Sequence, residues 1–179
     1  MLVSGRFVSG STASLAGWTK PAAEPEIAIH LGRDLQDEVS PDQARTAIAA
    51  LGPAIELVDV DKLPDDVETI LVSNIFHRHV LVGPASAACA GGNLSGLTGR
   101  VFRRGAEAHT VLELEANTGR LIDIVREVAR VAGMFGESLR AGEIIIAGSV
   151  VPPTYTGPDD DRIVFALEPI GRVDVRIAH

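Results

Sequence analysis

The chain has a single cysteine, Cys89, which excludes an intrachain disulfide and any zinc site built on cysteine pairs. It suits a reducing compartment and reads as a small buried residue. Basic residues are also scarce: 16 Lys plus Arg against 24 Asp plus Glu leave a net charge of −8. That balance repels phosphate backbones and anionic lipid surfaces, and the only basic clusters are as short as Arg103-Arg104, so nucleic acid is excluded as a partner class. No run approaches the roughly 18 apolar residues of a membrane span, and the N-terminus has no signal-peptide pattern. The expectation is a cytoplasmic protein with no membrane partner. A G-x-S-x-G nucleophile elbow is missing too, so spacing offers no serine-hydrolase triad.

What is present is 46% hydrophobic residues in 179, enough for one compact domain over 1–179. Residues 1–23 are rich in Gly, Ser, Thr and Ala and read as a short strand and loop. From Glu24 to Leu31 the pattern alternates. Ile27, Ile29 and Leu31 share one strand face; Glu24, Glu26, Ala28 and His30 share the other. The stretch "SPDQARTAIAALGP" predicts a helix capped by Ser40, with Pro41 in its first turn, Gln43 closing a capping box and Gly52-Pro53 as the stop. A second alternating strand, 54–60, places Ile55, Leu57 and Asp59 opposite Glu56, Val58 and Val60.

"ETILVSNIFHRHVLVG" satisfies neither period and reads as irregular, with a strand near His79–Val82. "SAACAGGNLSG" reads as loop, and "GLTGRVFRRGAEAHTVLEL" as a hairpin turning at Arg104-Gly105-Ala106. From Asn117 to Phe135, Leu121, Val125, Val128, Ala132 and Phe135 recur at helical spacing, with Asn117 or Thr118 as cap. A buried strand "IIIAGS", a Pro-rich turn and two terminal strands complete a mixed sheet with one long helix.

Three groups of residues carry possible chemistry. Glu24 and Glu26 leave the same strand face about 7 Å apart along the chain, and a third carboxylate from a neighbouring strand, Glu56, would close a cluster. Such a trio repels itself unless protons or a cation occupy it, and a hard ion such as Mg²⁺ prefers oxygen donors. The same E-x-E spacing also describes the solvent face of an ordinary edge strand. Gly148-Ser149, at the end of an apolar strand, would let a ligand approach the backbone beside a hydroxyl; an ordinary strand end fits the spacing as well. His77 and His79 at i, i+2 lack a third ligand for zinc, and such histidines decorate surfaces or pair with carboxylates.

Taken together, "EPEIAIHLGRDL", "AIELVDV" and "ANTGRLIDIVREVARVAGMFGESLRAGEIIIAGSVVPP" resemble the 2-keto-4-pentenoate hydratase and 2-oxo-3-hexenedioate decarboxylase group of the fumarylacetoacetate hydrolase superfamily. The resemblance spans most of residues 22–177. It implies an α+β fold, a mixed β-roll with one long flanking helix, and a homodimer or larger homo-oligomer. It further implies Mg²⁺ or Mn²⁺ held by Glu24, Glu26 and Glu56, and a small 2-oxo or enolisable dicarbonyl substrate near Asn74, Gly148 and Ser149. The implied activity is that of a lyase, hydratase or decarboxylase in type.

Two departures stand out. The group's N-terminal part, with a catalytic lysine and an acidic residue, is here reduced to 1–23, and Phe7 takes the lysine's place. The group's D-N-A-S segment reads Ser73-Asn74-Ile75-Phe76. A repurposed cyclase, dehydratase or isomerase, or a non-catalytic partner subunit, is compatible with both changes. His30, with His77 or His79 as alternatives, is the candidate for the lost acid-base function.

Overall fold

The computed structural model describes residues 6–61, 65–72 and 74–179. Its strands are β1 (Arg6–Phe7), β2 (Thr12–Ser14), β3 (Pro21–Leu31), β4 (Ile48–Asp59), β5 (His77–Val82), β6 (Thr98–Arg103), β7 (Ala106–Val111), β8 (Ile144–Ala147), β9 (Thr154–Tyr155), β10 (Arg162–Glu168) and β11 (Gly171–Ala178). The helices are α1 (Pro41–Ala47), α2 (Val67–Val72) and α3 (Leu121–Met134).

Two mixed sheets form. One runs β1-β5-β4-β3-β8 with β9 also beside β3; the other runs β2-β11-β10-β6-β7. The β1–β5 and β11–β2 pairs are parallel, and the remaining pairs are antiparallel. Strands β10 and β11 pack on β4, and the core lies between the sheets. Ile27, Ile29, Ile55 and Leu57 from the first sheet meet Phe165, Val173 and Val175 from the second in one buried cluster. These are the odd-numbered positions of β3 and β4, so the even-numbered face is turned away from this core. The long pairing of β3 with β4 sets that face: Glu24 opposes Glu56, Glu26 opposes Ala54 and Ala28 opposes Gly52.

The expected helix at Ser40 starts as its sequence dictates. Gln43 N–H donates to Ser40 Oγ and Ser40 N–H to Gln43 Oε1. It stops early, however, at Ala47, because Ile48–Leu51 zip onto β3, with Ala50 against His30 and Leu51 against Ile29. Gly52 is a strand residue rather than a helix stop. A Cβ there would stand 2.4 Å from the Pro84 carbonyl oxygen, so only glycine admits this close approach.

Within "ETILVSNIFHRHVLVG" the irregular reading gives way to α2 and to a β5 that begins at His77; Ser73 lies outside the described residues. The 98–111 hairpin forms as expected, with Arg104 and Gly105 both at positive φ, the pair of conformations a two-residue turn of this hand demands. Helix α3 begins at Leu121, and neither Asn117 nor Thr118 caps it. Instead Glu115 Oε1 accepts from Leu121 N–H at 2.8 Å, a bond reaching back six residues. Its buried stripe is Leu121, Ile122, Val125 and Ala129, while Phe135 lies past the helix end and is 79% exposed. Strand β8 is the sheet's edge, paired with β3 alone among the named strands, and of its isoleucines Ile145 is the buried one. None of the described helices is long and apolar enough to cross a membrane.

Candidate metal centre

Glu24 and Glu56 face each other across the β3–β4 ladder, and Glu26 follows Glu24 on the same face. One carboxylate oxygen from each lies within 4.8 Å of the others. Directly opposed like charges destabilise a strand pair, so this convergence must be answered by a proton or a cation. The neighbours on that face are small: Ala22, Ala28 and Ala54, all buried.

Glu26 lies deepest, at 3% exposure. Burial first, then the charges of Glu56 and Glu24, and a hydrogen bond shared with Glu56, push its carboxyl up to about 9. Burial, and the Glu56 charge after it, also raise Glu24. One oxygen of Glu26, Oε2, is buried with no hydrogen-bond partner among the described residues. A buried acceptor without a donor costs of order 1–3 kcal/mol, and in a cluster of three carboxylates the group that would satisfy it is a cation. Three converging oxygen donors, one buried and two half-buried, fit a hard divalent ion such as Mg²⁺ or Mn²⁺.

His77 joins the cluster from β5. Its Nδ1 hydrogen-bonds Glu56 Oε1, and the side chain is 5% exposed. His79, two residues on, takes a different course. The β4–β5 register shifts between Leu57 and Val58, so that His79 opposes Leu57 while His77 opposes Val58. The extra residue, Arg78, turns the two histidines apart. His79 stacks on Phe7 at 4.1 Å, with Trp18 at 5.9 Å. The i, i+2 spacing alone would have kept both histidines on one face; the bulge is what separates them.

Gly148 and Ser149 come to the same end of the sheet as the glutamates. Ser149 Oγ–H and Val150 N–H reach the carbonyl of Pro25, the residue between Glu24 and Glu26, at 3.4 and 2.8 Å. Gly148, at φ +33°, makes the bend out of β8. Asn74 is exposed three residues before His77 and receives His77 N–H on its carbonyl at 3.1 Å. His30 does not join them. It shares the glutamate face but stands four residues beyond Glu26, about 13 Å along the strand, between Ala50 and Ile144.

Asp59, which shares a face with Ile55 and Leu57 by alternation, has a structural task. Its Oδ1 accepts from Thr19 N–H and Lys20 N–H at 2.9 and 2.7 Å, fixing the turn into β3. The hydrogen bond of His77 to Glu56 was legible in sequence only as the general tendency of such histidines to pair with carboxylates.

The sequence model for the C-terminal domain of fumarylacetoacetate hydrolase matches residues 7–178. A 4-oxalocrotonate decarboxylase of Pseudomonas sp is 30% identical over 173 residues, 88% of this chain and 63% of that protein. A 2-hydroxyhexa-2,4-dienoate hydratase of Comamonas testosteroni is 27% identical over 177 residues, covering 95% of this chain and 66% of that one. The chain thus spans slightly under two thirds of the length of these relatives. Among solved structures, the 4-oxalocrotonate decarboxylase from Pseudomonas putida G7, complexed with magnesium and adipate, superposes with a TM-score of 0.81. That match has 19% identity over 97% of this chain and 66% of the other. The fumarylpyruvate hydrolase from Pseudomonas aeruginosa, in complex with Mn²⁺ and pyruvate, gives 0.68 at 16% identity, over 97% of this chain and 73% of the other. With nearly its whole described length matched in sequence, and with the same fold, this chain belongs to the fumarylacetoacetate hydrolase C-terminal family.

Proposed function

We propose that the protein is a divalent-metal-dependent lyase of hydratase or decarboxylase type, acting on a small 2-oxo or enolisable dicarbonyl compound. The observation that carries the reading is the convergence of Glu24, Glu26 and Glu56 on one point, with the buried Glu26 Oε2 lacking a donor. The relatives support it: a decarboxylase and a hydratase in sequence, and folds solved with magnesium and with Mn²⁺ and pyruvate.

Glu24, Glu26 and Glu56 would hold the ion. When bound, a Mg²⁺ or Mn²⁺ ion supplies Lewis-acid stabilisation of the negative charge that develops on a 2-oxo acid. Glu26 would have to release its proton to serve as a ligand, since burial and its glutamate neighbours hold it protonated otherwise. Ser149 would turn its hydroxyl from the Pro25 carbonyl to a substrate carboxylate, and the bend at Gly148 keeps a side chain out of the approach. Asn74, in the turn before His77, would meet the substrate from that turn. His30, on the same face but about 13 Å away, would meet the far end of an elongated substrate rather than atoms held at the glutamates.

Phe7 favours a second reading. On the family resemblance it replaces a lysine, and its ring is committed to His79. A cyclase, dehydratase or isomerase that runs without that lysine retains the same ion and substrate class; a non-catalytic partner subunit retains the ion alone. A homo-oligomer belongs to this proposal, with exposed Val131, Met134 and Phe135 as its apolar surface; so does a cytoplasmic setting.

Titration calorimetry with MnCl₂ and MgCl₂, followed by an absorbance assay on short and long 2-oxo acids, tests the proposal. One ion per chain with turnover is expected. Failure to bind either ion overturns it, and binding without turnover of any 2-oxo acid leaves the second reading in its place.

A further inference from the structure

We infer that His77 is a positioning residue of the metal centre: its Nδ1–H anchors one oxygen of Glu56, so that the carboxylate is held with its remaining lone pairs toward Glu24 and Glu26. The inference rests on the metal reading of the three glutamates and adds a fourth residue, one that acts through a ligand.

A carboxylate only accepts hydrogen bonds, so the His77–Glu56 contact requires the proton on Nδ1. The opposite ring nitrogen, Nε2, is buried and has no hydrogen-bond partner among the described residues. A bare Nε2 lone pair there is an unpartnered acceptor, which is tolerated better than an unpartnered N–H. The two nitrogens therefore agree on one tautomer, with His77 as donor to Glu56. Its single proton-bearing atom is spent on the ligand.

The surrounding chain is built to deliver this ring. Asn74, Ile75 and Phe76 follow one another at φ values of 61°, 50° and 67°, a left-handed run that a β-branched and an aromatic residue adopt only under constraint. Both sides of the run are tied. His77 N–H returns to the Asn74 carbonyl, and Asp59 N–H bonds the Phe76 carbonyl at 2.9 Å. Arg78, the bulge residue, reaches Asp61 at 3.2 Å and Asp59 at 3.6 Å. Without that bulge His77 would leave β5 on the face of Leu57 and could not meet Glu56. Glu56 itself is placed directly opposite Glu24, so like charge pushes its carboxylate to swing away. A buried donor behind it prevents that swing.

A hydrogen-bonding group behind a metal ligand commonly contributes a factor of about 10–100 in affinity. The test is the Mn²⁺ dissociation constant, read from the free-ion electron paramagnetic resonance signal, for the wild type, His77→Phe and His77→Asn. Asparagine places an amide N–H near the Nδ1 position; phenylalanine keeps the ring and removes the donor. The expected result is a loss of about 10–100-fold in His77→Phe, with His77→Asn recovering most of it. In a Glu56→Ala background, His77→Phe should add no further loss, because its only route to the ion has gone. Equal losses in Phe and Asn, no loss in either, or an undiminished loss in the Glu56→Ala background would each overturn the inference. Unfolding curves in chelator identify a Phe variant that fails to fold; His77→Leu then takes its place, and a loss in Leu that Asn recovers is expected, while equal affinities in Leu and Asn would overturn the inference. A wild type that binds no Mn²⁺ overturns the metal reading itself, which separates that failure from this one.

Discussion

Replacing Glu26 with glutamine should make the ion-free protein more stable, although it removes a proposed ligand. In the folded chain the Glu26 carboxyl is pushed up to about 9 by burial and by its two glutamate neighbours, whereas in the unfolded chain it returns to its ordinary value of 4.5. Between those values the folded state holds a proton that the unfolded state has released, so the contribution of Glu26 to stability is greatest below pH 4.5 and falls as pH rises toward 9. The slope is slightly over 1 kcal/mol per pH unit, which accumulates to about 3 kcal/mol by pH 7. Glutamine has nothing to titrate, nearly the same shape, and an amide that can donate to Glu56 or Glu24. In chelator at pH 7, Glu26→Gln should therefore exceed the wild type by up to about 3 kcal/mol, or roughly 6–12 °C in Tm for a chain of this size. Near pH 4 the two should coincide. Saturating Mn²⁺ should reverse the order, since the wild type gains about 3 kcal/mol at a hundredfold excess over Kd while the variant loses a ligand. Differential scanning calorimetry at pH 4, 5.5 and 7, with EDTA and with Mn²⁺, measures all of these. A variant no more stable than wild type at pH 7 in EDTA, or a difference that does not grow with pH, would refute the account of Glu26 as a buried, self-repelled acid.

Two further outcomes follow from the same geometry. Since Glu26 is protonated at neutral pH without an ion, binding Mn²⁺ should expel close to one proton. Affinity should then rise about tenfold per pH unit from 7 toward 9, and calorimetric heats should differ between buffers of different ionisation enthalpy; identical heats would contradict it. Gly52→Ala should destabilise the fold by about 1–3 kcal/mol in urea denaturation, because its Cβ would stand 2.4 Å from the Pro84 carbonyl oxygen; an unchanged midpoint would show that the β4 strand yields there.

Much of the fold was legible where the deciding contacts are local. The capping box at Ser40 and Gln43, the two-residue turn at Arg104-Gly105 and the apolar spacing along α3 each depend on residues within a few positions of one another. Where a distant segment intervened, the reading failed. Helix α1 stops at Ala47 because β3 claims Ile48–Leu51, and the first N–H of α3 donates to Glu115 rather than to Asn117 or Thr118.

The candidate site divides in the same way. Strand alternation by itself determined that Glu24, Glu26 and His30 share a face, and composition determined that the protein is acidic, with one cysteine. Only the tertiary structure decided that Glu24 stands opposite Glu56, since antiparallel register is set by how β3 and β4 bury their odd-numbered residues together. It also decided that His77 meets Glu56 while His79 goes to Phe7, because one extra residue in β5 reverses the alternation. A period of two tells which residues share a face, but neither which residue lies across the ladder nor where the count slips; those depend on pairing between segments 20 or more residues apart, at Glu56 and His77 as at Glu24 and Glu56.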